Sequence, residues 1–273
     1  MKYKKFYLGF CYALIATSLI IFSACRKNKV AATEDIGYAS DHATTEQTFT
    51  DVQTIADQAS MVSSGSLNYR TTGSGCATVT RGTGTITIDF GSSDCLCHDG
   101  RLRRGKILIT YTGNYADAGS VHTITFDNFY QNDNKITGTK TVTNMGSNAQ
   151  GQPYFDITVS GAVTKAGGGT ISANWQRVRT WTAGYNTPAD PTDDVYQITG
   201  SGTMTRANGM LVNINITSPL TVACNCHWIE AGSVTYSLPG GLSRVLNYGD
   251  SSSCDDQATL TLANGTIRNI TLP

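Results

Sequence analysis

The chain has 273 residues, 15% of them charged and 40% hydrophobic, with a formal net charge of zero at pH 7. This balance lacks the basic excess that nucleic-acid binding favours, so we predict no nucleic-acid partner. The 28 glycines, together with abundant Ser, Thr and Asn, favour strands and turns over helices. The length suffices for one large or two modest hydrophobic cores.

The first 25 residues have the pattern of an export signal. Lys2, Lys4 and Lys5 precede an apolar run over residues 6–22, and small residues then lead to Cys25. This arrangement resembles bacterial lipoprotein signals, in which the cysteine is lipidated and becomes the new N-terminus. The alternative is a retained transmembrane helix, but the run is shorter than the roughly 20 apolar residues that a spanning helix needs.

We therefore expect residues 1–24 to be removed and Cys25 to anchor the protein to a membrane of the cell envelope. Removal of three lysines and no acid leaves a net charge of about −3 on the mature chain. No Asp follows Cys25, which by resemblance to lipoprotein sorting signals favours the outer membrane. A periplasmic and a surface-facing orientation both stay open.

A tether and one helix are predicted to follow the signal. Residues 25–45 are polar and without periodicity, which is typical of a flexible segment. From Thr44 to Val62, apolar side chains recur at spacings of three and four residues, and Thr44 with Gln47 fits a capping box. These signals predict an amphipathic helix at about residues 47–62, covering the open side or one end of the remaining structure.

Two-residue alternation of apolar and polar side chains prevails from about residue 66 onward, which is typical of half-buried strands. Short turn sequences such as Asn208-Gly209 separate the strands, and parallel neighbours would need much longer connections. The predicted strands lie within residues 77–90, 107–112, 123–126, 134–145, 155–160, 170–183, 194–206, 210–222, 228–238, 242–248, 257–263 and 266–272.

We predict that residues 46–273 form a single all-β domain with one N-terminal amphipathic helix. The strands form a long antiparallel meander. About a dozen twisted strands with one apolar face do not stay flat. The meander must therefore curl into a barrel or half-barrel, or fold over into a two-layer sandwich, and the pattern leaves the choice open.

Six cysteines follow Cys25, and the element Cys95-Leu96-Cys97-His98 is echoed by Cys224-Asn225-Cys226-His227. One hypothesis is a metal site built from thiolates and imidazoles. Disulfides fit better, because zinc clusters usually have C-x-x-C spacing and an exported chain meets an oxidising environment. The predicted pairs are Cys76–Cys95, Cys226–Cys254 and Cys97–Cys224.

Trp175, Arg177, Arg179 and Trp181 share one face of a predicted strand. Alternating Trp and Arg side chains can stack on sugars or bind an anion. With the neighbouring loop at residues 184–194, this face is the predicted ligand-binding surface for a glycan or protein. The alternative is a cation–π ladder that only shields the sheet.

The remaining polar residues give weaker signals. Arg101, Arg103 and Arg104 form a basic cluster that fits contact with phosphate groups or anionic lipid, or simple solvation. His122 alternates with apolar residues and is expected to face the core. No nucleophile or carboxylate is placed beside a histidine by the sequence, so we predict no catalytic residue, metal or cofactor.

Several short stretches resemble a group of uncharacterised lipoproteins from Bacteroidota. They are Asp99-Gly100-Arg101, Arg104-Gly105-Lys106-Ile107 with Tyr111-Thr112-Gly113, and the segments at residues 120–128 and 179–185. The resemblance spans most of residues 70–273. It implies an exported, β-rich, anchored protein and carries no activity.

These observations predict a non-enzymatic outer-membrane lipoprotein that acts as a binding or interaction module. An alternative is a half-barrel carrier of lipid or another apolar ligand, with the helix as its lid. A third is a metal-dependent enzyme in which His98 and His227 converge. An apolar cavity beneath the helix would favour the carrier, and a filled core with the tryptophans outside would favour the binding module. Ligand identity and oligomeric state stay open.

Overall fold

The computed structural model describes residues 37–61, 76–187, 190–250 and 254–272. The chain divides into two units, residues 1–40 and 41–273. In the first unit, residues 37–40 are described, and they begin helix α1, which ends at residue 61. Cys25 and the predicted signal peptide lie outside the described residues. No helix in the described part of the chain is long and apolar enough to span a membrane.

The second unit contains one antiparallel sheet of 14 strands. The strands are β1 (Thr78–Gly82), β2 (Thr85–Asp89), β3 (Cys95–Leu96), β4 (Leu102–Tyr111), β5 (Val121–Gln131), β6 (Asn134–Ser147), β7 (Pro153–Thr164), β8 (Thr170–Ala183), β9 (Val195–Thr205), β10 (Leu211–Ala223), β11 (Ala231–Ser237), β12 (Ser243–Asp250), β13 (Gln257–Thr261) and β14 (Ile267–Thr271). A short 3₁₀ turn at Pro191–Asp193 precedes β9.

Neighbouring strands follow the order of the sequence, except that β2 pairs with β4 and β3 lies beside β4 off this path. The predicted all-β antiparallel meander is therefore confirmed. The sheet is open, because among the described strands β1 pairs only with β2 and β14 only with β13. Of the predicted forms, the closed barrel is thus not the one observed.

Most strands of the sheet bury one face, whereas β1 and β3 have no buried residue. In β8, the side chains at alternate positions from Ile171 to Trp181 are buried, while those between them are partly or fully exposed. The buried positions of the other strands are likewise mostly apolar, as at Ile107, Ile124 and Leu246. Period-two patterning thus produced the faces that the sequence predicts.

Helix α1 is buried on all sides. Between residues 41 and 59, every position except Thr44 and Gln47 is buried. The Phe49 ring packs edge-on against Trp175 of β8, with the ring centroids 6.1 Å apart. At its N-terminal side, His42 packs against Tyr236 of β11, with the centroids 5.3 Å apart. The sheet therefore curls around the helix, which fills the concave side and does not act as a lid.

The predicted start of this helix is wrong. The helix begins at residue 37 and not at about 47, so residues 37–45 of the predicted tether are helical. Asp41 and Glu46 are buried polar residues at positions where an apolar periodicity requires apolar ones. They can be buried because cations of the sheet form ion pairs with them. Periodicity along a single sequence does not show which distant residues are such partners.

The hairpin turns alternate between the two ends of the antiparallel sheet. At one end lie the turns after β7, β9, β11 and β13, at residues 165–169, 206–210, 238–242 and 262–266, which we name the proximal rim. Asp41, where the chain enters this unit, forms ion pairs with Lys165 and Arg206 at this rim, both at 2.7 Å. At the other end, the distal end, lie the turns after β1, β4, β6, β8, β10 and β12.

Two of the three predicted disulfides are present. The Cα–Cα distances are 5.5 Å for Cys76–Cys95 and 5.6 Å for Cys226–Cys254. The prediction of a third bond between Cys97 and Cys224 is wrong, because neither cysteine is in a disulfide bond and both are buried. Repeated sequence elements report local spacing, but not the distance between two segments of a folded sheet.

Candidate functional site

The predicted ligand-binding residues of β8 lie on its concave face. The exposed fractions of Trp175, Arg177, Arg179 and Trp181 are only 4–5%. The prediction that they share a strand face is confirmed, but the prediction that this face is an accessible binding surface is wrong. The sequence pattern gives the alternation, and it does not say that a helix covers this side.

The two arginines of this face hold α1 in place. Arg177 forms two hydrogen bonds with the Glu46 carboxylate, at 3.3 and 2.9 Å, and Arg179 contacts the Asp57 carboxylate at 2.7 Å. Burial alone would raise the pKa of Glu46, but Arg177 and His42 outweigh burial and hold that pKa well below its usual range. The face therefore anchors the helix by buried ion pairs.

A second pair of buried arginines lies beside the first disulfide. Arg101 bonds to Asp51 of α1, and Arg103 donates two hydrogen bonds to the Asp99 carboxylate at 2.8 and 2.6 Å. The sequence suggested that Arg101, Arg103 and Arg104 are exposed, and this is wrong for Arg101 and Arg103. Arg104 is partly exposed and forms ion pairs with Asp94 and Asp133.

The segments that contain the two C-x-C-H elements contact each other through Arg101, which follows the first element. Their cysteines and histidines do not form a metal site. The Arg101 Nη2 and His227 Nε2 atoms are 3.1 Å apart, while His98 is exposed. Among the residues that the structure describes, no three His, Cys, Asp or Glu side chains converge as metal ligands. Two cysteines of these elements, Cys95 and Cys226, are held in disulfides.

Lys140 of β6 is a fifth buried cation, and it has no carboxylate partner within the described residues. Its Nζ donates to the Phe49 backbone carbonyl at 2.8 Å. Burial lowers the pKa of Lys140 to about 7, with Arg179 acting in the same direction against Asp57 and Glu46. The adjoining cavity beneath α1 has a volume of about 20 Å³, enough for about one water molecule.

A larger cavity of about 580 Å³ opens at the distal end, beside the C-terminus of α1. Six rings contribute to its wall, and we name it the aromatic cleft. They belong to Tyr111, Tyr115, His122, Phe155, Trp181 and Tyr185. Tyr111 and Tyr185 are half-buried, whereas the other four are buried. The cleft thus has a buried aromatic floor and two tyrosines nearer the solvent.

The floor of the cleft is packed tightly. The His122 ring stacks on Tyr111 with centroids 5.4 Å apart, and Tyr115 meets it edge-on at 5.1 Å. The Tyr115 hydroxyl accepts a hydrogen bond from Arg179 at 2.8 Å. This bond links the cleft to the ion pairs that hold α1. Close packing and buried hydrogen bonds make the floor a preformed surface.

Histidine 122 is buried, which confirms the prediction that it faces the core. Its Nδ1 lies 3.3 Å from the Ser60 hydroxyl, which also bonds to the Ala56 carbonyl at 2.7 Å. Burial lowers the pKa of His122, and Asp57 and the Gly113 backbone act against this. The ring is therefore a neutral wall element at neutral pH.

Two features of the cleft mouth make it suitable for a polar ligand with apolar faces. No hydrogen bond joins the hydroxyl of Tyr111 or Tyr185 to another described residue. Asn114 is exposed and held in place by Asp117, whose carboxylate accepts from the Asn114 side chain at 2.9 Å. Ring faces, hydroxyl groups and a fixed amide are thus available at one opening.

Two parts of the predicted site line the cleft, Trp181 of β8 and Tyr185 of the loop at residues 184–194. The same loop supports the floor through Asp194, whose carboxylate accepts from Trp181 Nε1 and the Tyr196 hydroxyl, both at 3.1 Å. Burial raises the pKa of Asp194 to about 6, against these hydrogen bonds. Sequence reasoning missed the cleft because its wall combines residues from α1 and several strands.

Comparison with protein-family models, curated proteins and solved structures finds no match for this chain.

Proposed function

We propose that the protein is a lipid-anchored binding protein of the cell envelope, which holds a sugar ring of a glycan in the aromatic cleft. The observation that carries the proposal is the 580 Å³ cavity with six rings in its wall. Ligand pockets typically measure about 300–1,000 Å³ and combine apolar walls with few polar groups. The cleft meets both conditions.

The cleft is chemically suited to a neutral sugar. A sugar ring presents apolar C–H groups on its faces and hydroxyl groups at its edge, so it needs both aromatic surface and hydrogen-bond partners. Tyr111 and Tyr185 offer both, and Asn114 adds an amide at the mouth. This proposal keeps the predicted binding module and moves its site from the face of β8 to the distal end.

The space beneath α1 gives no support to the carrier alternative. It measures about 20 Å³ and is lined by Glu46, Lys140, Arg177 and Arg179 among others, whereas a lipid chain needs a long apolar cavity. A small apolar ligand in the aromatic cleft is the competing outcome, and the experiment below separates it from a sugar.

The envelope location rests on the lipoprotein signal that ends at Cys25. Two disulfides among the described residues support an oxidising compartment, since such bonds are rare in the cytosol. The anchor itself is tested by mass spectrometry of the mature N-terminus, which we expect to begin at a lipidated Cys25.

Calorimetry on the full protein tests the site. The probes are neutral trisaccharides of glucose, N-acetylglucosamine and mannose, with 2-naphthol as an apolar ring. We expect at least one trisaccharide to bind, and Tyr185→Ala to weaken it by about 30-fold, the loss of about 2 kcal/mol typical of a central aromatic contact. Tyr154→Ala, a half-buried tyrosine outside the cleft, is the matched control.

Three results would count against the proposal. Binding of 2-naphthol without any trisaccharide would make the ligand apolar and remove the glycan. Equal effects of the Tyr185 and Tyr154 variants would place the ligand elsewhere. Absence of binding by any probe would remove the cleft as the site.

A further inference from the structure

Asp194 is a buried carboxylate beside the aromatic cleft. Only 4% of its surface is exposed, and it is not itself part of the cleft wall. It directly precedes β9, next to the point where the register between β8 and β9 shifts at Thr182. Irregularities of this kind beside a ligand site often serve to aim a side chain. The contacts of Asp194 show which side chains it could aim.

Two ring residues donate hydrogen bonds to this carboxylate, one to each oxygen. Trp181 Nε1 donates to Oδ1 and the Tyr196 hydroxyl donates to Oδ2, both at 3.1 Å. The two residues are opposite each other on β8 and β9, and their ring centroids are 5.5 Å apart. Because Trp181 belongs to the cleft wall, the carboxylate fixes the orientation of one part of that wall.

The same carboxylate lies against the turn that carries Tyr185. A Cβ on Gly184 would be only 2.3 Å from Asp194 Oδ1, so the backbone that precedes Tyr185 passes directly beside the carboxylate. The turn is closed by a hydrogen bond from the Thr187 N–H to the Gly184 carbonyl at 2.9 Å, and the Thr187 hydroxyl donates to Asp193 at 2.7 Å. The Asp194 carboxylate therefore touches supports of both the floor and the mouth of the cleft.

Only the ionised form of Asp194 satisfies both donors. A carboxylate accepts on both oxygens, whereas a protonated carboxyl carries a hydrogen that itself needs an acceptor. The indole N–H of Trp181 cannot accept it. The Tyr196 hydroxyl can, but it is buried and has no other hydrogen-bond partner among the described residues, so its own hydrogen would then lose its acceptor. Protonation of Asp194 therefore weakens the bonds that hold the two rings.

The surroundings of Asp194 bring its change of charge close to neutral pH. Burial raises the pKa of Asp194 to about 6, helped by the negative charges of Asp193 and of Asp57 on α1 and opposed by the two hydrogen bonds. The other titratable or charged side chains near the two donors are those of Cys224 and Arg179. Because the pKa is higher in the folded chain than in the unfolded one, ionisation of Asp194 lowers the stability of the fold as the pH rises from about 4 to 6. The ionised carboxylate is therefore not explained by stability.

We propose that Asp194 is a positioning residue of the aromatic cleft. Its carboxylate holds Trp181 and the turn of Tyr185 in the arrangement that binds the ligand, and protonation of the carboxyl releases them and weakens binding. Asp194 acts through these two residues and not by contact with the ligand. By thermodynamic linkage, the bound ligand makes Asp194 a stronger acid in return. This role rests on the ligand site proposed above.

Calorimetry at pH 5 and pH 7.5 tests this role with the same neutral trisaccharides, which carry no group that titrates in this range. Asp194→Asn is the central variant, because its amide resembles the protonated carboxyl and does not ionise. We expect this variant to bind about ten-fold more weakly than the natural chain at pH 7.5, since bonds to a charged acceptor are the stronger ones. At pH 5 the difference should shrink to about two-fold, because the natural chain is then largely protonated at a pKa of about 6. The affinities are compared as a ratio, because His122 lines the cleft in both chains.

Two further measurements separate positioning from a loss of fold. Asp194→Asn should be at least as stable to urea at pH 7.5 as the natural chain, because a neutral amide avoids the cost of burying a charge. The indole N–H signal of Trp181 in nuclear magnetic resonance, assigned with Trp181→Phe, should move between pH 5 and pH 7.5 in the natural chain more than in Asp194→Asn. Asp190→Asn in the same loop is the control, since asparagine also caps the 3₁₀ turn, and it should bind like the natural chain.

The outcomes distinguish this role from the ligand site itself. An affinity ratio between the natural chain and Asp194→Asn that is the same at both pH values would overturn the role of Asp194 and leave the ligand site intact. So would a Trp181 signal that moves equally in both chains, or a marked loss of stability in Asp194→Asn. Absence of trisaccharide binding by the natural chain at pH 7.5 would overturn the proposed ligand, and this role with it.

Discussion

Replacing Lys140 with methionine is expected to stabilise the protein at neutral pH. Lys140 is buried, with 4% of its surface exposed, and its Nζ has a backbone carbonyl as its hydrogen-bond acceptor. The buried acids around it are already paired with Arg177 and Arg179. A charged Lys140 is therefore an uncompensated cation, which explains why burial lowers its pKa to about 7.

The pKa of Lys140 gives the size of its effect on the free energy of unfolding and the direction in which that effect changes with pH. A fall from 10.5 to about 7 corresponds to a cost of roughly 5 kcal/mol for folding with a lysine that is charged in the unfolded chain. Between these two values the unfolded chain binds the extra proton, so the free energy of unfolding rises by about 1.4 kcal/mol per pH unit. Below pH 7 the cost is fully present and constant.

Methionine has a similar length, carries no charge and removes this cost. It also loses the hydrogen bond to Phe49, worth about 1 kcal/mol. We therefore expect Lys140→Met to be about 1–4 kcal/mol more stable than the natural chain at pH 7, as for other buried charges replaced by apolar groups. The gain should disappear as the pH approaches 10.

Urea unfolding followed by tryptophan fluorescence at pH 6, 7, 8 and 9 measures the effect. The stability of the natural chain should increase from pH 7 to 9 relative to Lys140→Met, and the difference between the two is unaffected by tyrosines, which both chains share. Lys106→Met, a half-buried lysine beside Asp89, is the control and should follow the natural chain. Parallel pH profiles of the natural chain and Lys140→Met would refute the reasoning.

Two further predictions concern packing and covalent links. Gly161→Ala should destabilise the domain by about 1–3 kcal/mol, because its Cβ would lie 2.6 Å from the Phe49 ring, whereas Gly167→Ala, with open space around it, serves as the control in the same urea assay. If both variants unfold alike, the contact between α1 and β7 is misplaced. Cys226→Ser should cost about 2–4 kcal/mol by opening the loop to Cys254, and thermal unfolding that is unchanged by the substitution would show that the bond does not restrain the unfolded chain.

The meander could be predicted from the sequence because each strand carries its own evidence. The alternation along residues 170–183 is local, and β8 occupies those same residues. Turn residues such as Asn208-Gly209 also act locally, and they lie in the turn between β9 and β10. The pairing of Cys76 with Cys95, which are only 19 residues apart, was predicted from the echoed cysteine elements.

The interior could not be predicted, because its interactions join distant parts of the chain. The alternation in β8 puts Trp175, Arg177, Arg179 and Trp181 on one face, but it does not show whether that face is exposed or buried. The face is buried because α1 covers it. Asp41 and Glu46 look like tether or surface residues until their basic partners are known. The aromatic cleft has the same character, since its wall combines residues of α1, β1, β2 and β4 to β8.

The position of α1 inside the sheet has a consequence for the order of folding. Glu46 is held by Arg177, which follows it by 131 residues, and contacts of such long sequence separation slow folding. In the export that we propose, the helix would emerge first, and a polar helix of this kind has no partner until β8 has followed it. We expect α1 to become protected from hydrogen exchange only together with the central strands β6 to β8, so that the helix and the middle of the sheet form one cooperative unit.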